Sequence, residues 1–250
     1  MYVFFEKGII FKKIIDAIKD LVEQGTFCCS DKGIELKNLD KNHIAYIHLF
    51  LKSSKLDEYK ASPEQQLLNI NISSILAVLK WIKGNECLIW ETTENKDKMT
   101  FFIGEERTQK FDLNLMDNEY GELEIPEIKY DCKLKMNSDE FSSICKNLNP
   151  FSETVEIVAD PDEGNDITFN VKGMMGDGSI VLKDGVNDNI IKVKRDIKLR
   201  FSLPYLINFS KASTLSNKVT LYFCQDTPAI IEYKIDLGFI KYYLAPKEEE

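Results

Sequence analysis

Two apolar stripes in this sequence occur twice. Phe11, Ile14 and Ile18 recur as Phe141, Ile144 and Leu148, displaced by 130 residues. Ile72, Ile75 and Leu79 recur as Leu203, Leu206 and Ser210, displaced by 131. Each stripe has the three-and-four spacing that puts apolar side chains on one face of a helix. A strand, helix, strands, helix, strands order that returns at this distance describes a duplicated domain, because solenoid repeats run only about 20–50 residues. The 250 residues are enough for two domains, each with its own core.

The helical segments predicted are 9–21, 72–83, 138–148 and 203–213. Gly84 ends the second, Ser138 is the expected N-cap of the third, and Pro204 sits where an early helical position tolerates it. Most of the remainder alternates. Val219, Leu221 and Phe223 interleave with Thr220, Tyr222 and Cys224, and Ile231, Tyr233 and Ile235 with Glu232, Lys234 and Asp236. That is the period of half-buried strands. Turn signals at Ser30–Gly33, Gly84-Asn85, Asp177-Gly178, Asp184-Gly185 and Leu237-Gly238 separate them. The fold class expected is α+β: two similar domains of antiparallel sheets, two helices each, with the helices on one face. The domains are placed at 1–115 and 131–250, joined by a connecting loop at 116–130 that is acidic and aperiodic.

Composition narrows the function. With 44% hydrophobic and 29% charged residues the chain is of the globular class. No apolar run approaches the roughly 20 residues of a membrane span. Glu6, Lys7, Lys12 and Lys13 break the apolar start too early for a secretory signal, which predicts an intracellular protein. The six cysteines form no Cys-x-x-Cys pair and read as packed thiols. His43 and His48 are five apart, on opposite faces if both lie in one strand, so no shared metal and no cofactor are expected. No phosphate loop, nucleophile elbow or zinc spacing is present, and no enzymatic activity is expected.

The formal charge is −9, yet its distribution is uneven. The four helices carry +1, +2, −1 and +1, which leaves −12 for the strands and loops. Helices gathered on one face would make that face positive, so a polyanion could meet it while the rest repels. Lysine is also a good helix former, and the count alone does not separate the two explanations.

Longer runs do. Phe11-Lys-Lys-Ile-Ile-Asp-Ala-Ile-Lys-Asp-Leu21, Gly33-Ile-Glu-Leu-Lys-Asn-Leu-Asp-Lys-Asn-His43, Leu115-Met-Asp117, Ile125-Pro-Glu127, Ile231-Glu-Tyr-Lys-Ile235 and Ile240-Lys-Tyr-Tyr-Leu-Ala-Pro-Lys247 together resemble the proliferating cell nuclear antigen family of eukaryotic sliding clamps. The resemblance runs in order along essentially the whole chain. It implies the DNA clamp fold, a nuclear homotrimeric ring around double-stranded DNA, and a processivity factor for DNA polymerase. Partners implied are the clamp loader and replication and repair proteins bearing short peptide motifs.

The resemblance also implies sites. Lys12, Lys13, Lys19, Lys80, Lys83, Lys146 and Lys211 would face phosphates, with Arg107 and Lys135 as weaker candidates. A partner-peptide pocket would use Leu39, His43, Ile44, Leu123, Ile125, Pro126, Pro228, Tyr243, Leu244, Ala245, Pro246 and Lys247, with backbone near His43 and Lys247 supplying hydrogen bonds. Subunits would join by strand addition between Thr108–Leu113 of one copy and Gly178–Lys183 of the next, with Phe111, Ile180 and Leu182 as apolar contacts. Ser143 and Pro204 stand where relatives usually carry arginine, Ser202 where a small apolar residue is common, and the loop Asp160–Asn165 has no lysine where many relatives carry a modifiable one. Two other readings share these features: a subunit of a checkpoint-type heterotrimeric clamp, and a monomeric peptide-binding scaffold.

Overall fold

In the computed structural model, residues 1–61, 64–92, 97–104, 109–117, 129–225 and 227–248 are described. The chain divides into two compact units. Unit 1 is Met1–Glu124 with Ile235–Ile240, and unit 2 is Ile125–Lys234 with Lys241–Glu250.

The first half runs β1 (Tyr2–Phe5), α1 (Gly8–Ile18), β2 (Gln24–Ser30), β3 (Gly33–Leu39), β4 (Ala45–Lys52), β5 (Glu58–Lys60), β6 (Gln66–Asn71), α2 (Ile72–Leu79), β7 (Leu88–Thr92), β8 (Lys98–Ile103) and β9 (Gln109–Asn114). The second runs β10 (Cys132–Asn137), α3 (Ser138–Leu148), β11 (Thr154–Ala159), β12 (Ile167–Gly173), β13 (Gly176–Leu182), β14 (Ile190–Val193), β15 (Ile197–Ser202), α4 (Leu203–Ser210), β16 (Lys218–Phe223), β17 (Ala229–Ile235) and β18 (Gly238–Leu244). The order of strands and helices is the same in both halves, and so is the pairing. Strand order β5-β1-β7-β8-β9 returns as β14-β10-β16-β17-β18, and β4-β3-β2-β6 returns as β13-β12-β11-β15. The described pairings are antiparallel. The duplication read from two helical stripes is therefore a duplication of a whole two-sheet topology.

Within each unit the helices lie side by side and cover the apolar faces of both sheets. In unit 1, α1 rests on β1 and α2 on β6 and β9; in unit 2, α3 rests on β10 and β16 and α4 on β15. Phe5, Phe11, Phe27, Trp90 and Phe101 fill the first core, with Phe11 5.3 Å and Phe27 5.7 Å from Trp90 between ring centroids. In the second, Phe209 stacks on Tyr242 at 4.6 Å, and Tyr242 meets Tyr233 edge-on. Such pairs add to the burial of the rings themselves.

Helix ends differ from the sequence reading. α1 and α2 stop near residues 18 and 79 instead of 21 and 83, and α4 passes into a 3-10 turn at Lys211–Thr214. Asn137, not Ser138, caps α3. Its side chain accepts from the backbone N–H groups of Asp139 and Glu140 at 2.8 and 3.2 Å. Ser138 is fully buried and donates to the Ser216 carbonyl. His43 lies in a turn with φ +58° and only His48 lies in a strand, so the opposite-faces argument does not apply to this pair. At Gly33, φ is +139° and a Cβ would collide with the Leu51 carbonyl, so the turn into β3 requires glycine.

Candidate functional site

The four helices turn their apolar stripe inward and their lysines outward. In α1, Phe11, Ile14, Ile15, Ala17 and Ile18 are buried, while Lys13 and the C-capping Lys19 are exposed. Lys80 ends α2 and Lys83 follows in the next turn, both exposed. In unit 2, Lys146 on α3 and Lys211 just after α4 are exposed. Lys135, one of the weaker candidates, points out from β10, and Arg107 lies outside the described residues.

These lysines are not equivalent. Lys12 is half-buried and its Nζ donates to the Ile82 carbonyl at 2.7 Å, closing the turn beyond α2. Lys19 Nζ lies 2.8 Å from Asp16 Oδ1, and that hydrogen bond raises its pKa, so it stays charged. Lys211 Nζ donates to Asn208 Oδ1 at 2.8 Å. Acids soften the field nearby: Asp139 and Glu140 open α3, and Glu86 sits in the turn after Lys83. At the two positions where the resemblance implies arginine, Ser143 bonds back to the Asp139 carbonyl at 2.8 Å and Pro204 is exposed in the first turn of α4. The second unit thus presents fewer outward cations from its helices than the first.

A second group of residues forms a rigid turn between β3 and β4. The buried Asp40 carboxylate accepts from the N–H groups of Asn42, Ile44 and Ala45 at 3.1, 2.8 and 2.7 Å. His43 N–H donates to the Asp40 carbonyl at 3.1 Å, so it is not available to a ligand. The turn holds Ile44 out at 41% exposure beside half-buried Leu39. In unit 2, Tyr243 is nearly buried and Leu244 is fully buried, so Leu244 serves the core and cannot touch a docked peptide. Ala245 and Pro246 are half-buried and Pro228 is exposed. The Lys247 N–H is committed to the Arg200 carbonyl at 2.8 Å, which leaves its carbonyl for any added bond. Leu123, Ile125 and Pro126 lie outside the described residues, as does most of the connecting segment.

The third group lies on sheet edges. β9 and β13 are the outermost strands of their sheets. Phe111 is half-exposed on β9, and its ring lies 5.9 Å from that of Trp81, which is 51% exposed. On β13, Ile180 is half-exposed, but Leu182 is 5% exposed and belongs to its own unit's core; Val181, at 52%, offers the apolar side chain instead. Sequence reasoning missed Trp81. Its signal was legible: position 81 falls off the buried stripe of Ile72, Ile75, Leu79 and Ile82, which leaves an aromatic on the polar side. No helix among the described residues is long and apolar enough to cross a membrane.

Two family models account for nearly all of the chain. The one described as proliferating cell nuclear antigen, N-terminal domain, matches residues 1–122, and the one described as proliferating cell nuclear antigen, C-terminal domain, matches residues 124–247.

Proposed function

The chain belongs to the proliferating cell nuclear antigen family, its function is of the DNA sliding-clamp kind, and from that premise we propose that three copies close into a ring around duplex DNA. One observation carries the ring: the two halves of the repeat differ at one edge. Within unit 1, the segment Ile235–Ile240 lies against β4, with Lys52 N–H donating to the Leu237 carbonyl at 2.8 Å and Phe239 packed on His48 and Phe50. β13 is the repeat counterpart of β4, and it is the last strand of its sheet. β9 is the counterpart of β18 and is likewise outermost. Pairing β9 of one copy with β13 of the next would cover both of these edges, and a head-to-tail contact that closes leaves neither of them exposed in any copy. Trp81, Phe111, Ile180 and Val181 would supply its apolar contacts.

On this reading the exposed lysines of the helices meet phosphates, without reading base sequence. Such contacts are individually weak and salt-sensitive, which suits a ring that slides and is retained by topology. The chain acts in the nucleus as a polymerase processivity factor, turns over no substrate of its own, and docks replication and repair proteins. Among the described residues that the resemblance assigns to that docking, Leu39, Ile44, Pro228, Tyr243, Ala245, Pro246 and Lys247 keep some exposure, and the buried Leu244 drops out.

The test has two parts. Light scattering on the purified chain should give a mass about three times 28.8 kDa at micromolar concentration. A monomer throughout, or assembly only with different subunits, overturns the homotrimer. Loaded onto circular DNA, the protein should stay until the circle is cut and then leave from the ends. Equal retention on circular and linear DNA overturns encirclement.

A further inference from the structure

The outward face of the sheet β13-β12-β11-β15 breaks the charge pattern of the chain. Burial alternates along its strands, so Glu156 of β11, Asn170 and Lys172 of β12, and Lys198 and Arg200 of β15 all point away from the core. Together with Lys247 and Glu248 they line an open cavity of about 810 Å³, wholly within unit 2. Among the described residues four cations face two carboxylates there, in a chain whose formal charge is −9.

The two carboxylates do not neutralise the site. Glu156 is the cross-strand partner of Arg200, and its Oε1 lies 3.2 Å from Arg200 Nε and 3.8 Å from Lys198 Nζ. One carboxylate oxygen is thus shared by two cations. Lys247 is anchored at both ends, by its N–H on the Arg200 carbonyl and its Nζ on Thr154 Oγ1 at 2.8 Å. That anchoring brings Glu248 to the cavity, so an acidic side chain of the chain itself already lies among these cations.

We propose that this outer face binds an extended acidic segment of a partner protein, with Lys172, Lys198 and Arg200 receiving its carboxylates and Glu248 competing for the same place. Spacing favours an extended peptide. Lys198 and Arg200 are two residues apart on one strand, roughly 6.7 Å, which is the repeat of alternate side chains in a second extended chain. Lys172 lies two strands away, roughly 9.5 Å across the sheet and level with Ser202, two residues along from Arg200, so it would take a second carboxylate on the diagonal. Arg200 adds a planar guanidinium suited to carboxylate geometry. Nucleic acid fits less well. Among the described residues no aromatic side chain lines the cavity for bases to stack on, and Glu156 and Glu248 repel phosphate. This binding is separate from the ring edge and from the phosphate-facing helices, because none of its groups lies on β13 and all of those on the strands point away from the core that the helices cover.

The probe is a fluorescein-labelled peptide of about ten residues alternating glutamate and serine, read by anisotropy at about 50 mM and about 300 mM salt. Binding should be measurable at the lower salt and fall at the higher. Lys172→Glu with Lys198→Glu should weaken it about tenfold, and Lys172→Arg with Lys198→Arg should keep it. Both lysines are exposed, so thermal melting of the double variants should match the parent. Glu248→Gln should tighten binding about two- to threefold by removing the competitor. A Phe111→Ala variant, designed to impair the ring, should bind the peptide as the parent does, which separates this proposal from the clamp reading. Unchanged binding by the glutamate double variant overturns the site, as does no binding at low salt. A single-stranded oligonucleotide of equal charge that binds more tightly and displaces the peptide overturns the assignment of a peptide partner.

Discussion

Lys12 and Lys13 are neighbours of the same type on the same helix, yet they do different work. Lys13 is exposed, while Lys12 is half-buried and spends a 2.7 Å hydrogen bond on the Ile82 carbonyl. Lys12→Ala should therefore cost about 1 kcal/mol of stability, the worth of a charge-assisted bond at the end of a helical segment. Lys13→Ala should stay within about 0.5 kcal/mol, as exposed substitutions do. Chemical denaturation of both variants checks the difference, and equal losses would mean that Lys12 has no structural task. Glu86 stands nearby. Hydrogen bonds from its own N–H and from Gly84 and Lys83 hold its carboxyl below the ordinary range. A folded-state pKa lowered in this way contributes above the unfolded value and is lost as pH falls through the folded one. Protection of the Gly84 amide should accordingly be steady at neutral pH and fall only in acid, below the usual carboxylate titration. Protection already lost within or above the ordinary carboxylate range would refute that linkage.

At the scale of elements, the sheet edges carry the consequence. Phe111→Ala removes an apolar side chain from the strand proposed to add to the next copy, and Trp81→Ser removes the ring packed beside it. Each should shift the trimer toward monomer at low micromolar concentration while leaving the fold in place, as followed by sedimentation and circular dichroism. A trimer as tight as the parent's in both variants would put the contact elsewhere. How these elements show in the sequence is uneven, for physical reasons. The helices were legible because Phe11, Ile14 and Ile18 obey a local period, and their repeat at Phe141 disclosed the duplication. Helix ends were not, because Asn137 caps from outside the helix while Ser138, the better-looking cap, is drawn into the core by Ser216. In β13 the apolar residues Ile180, Val181 and Leu182 run together without alternation, and which face is buried depends on distant packing, so Leu182 was placed outside and Val181 was passed over. The Asp40 turn left no periodic signal; three N–H groups converging on one carboxylate appear only once the chain is folded.

For the whole molecule the sequence suggested a sorting of charge, cations on helices and anions elsewhere. The helices keep to it: Lys13, Lys19, Lys80, Lys83, Lys146 and Lys211 are all exposed. The outward face of β11, β12 and β15 does not, because strand register brings Lys172 of β12 to the same face as Lys198 and Arg200 of β15. Counting charge by element hides such a patch, since β12 contributes one cation, β15 two and β11 none. A clamp separates two quantities that ordinary DNA-binding proteins join, affinity and retention. Lys13→Glu with Lys80→Glu removes two exposed cations from the helices and leaves the bond made by Lys12 intact. The variant should still form the ring, and the salt dependence of its equilibrium binding to linear duplex should weaken by about 2 in the log–log slope, near 0.9 per lost phosphate contact. Polymerase stimulation should fall with it. Retention on closed circular DNA should not, because a ring that cannot pass an end needs no affinity to remain. If the variant leaves closed circles as readily as it leaves linear duplex, charge and not topology is holding the protein on DNA, and the ring reading fails.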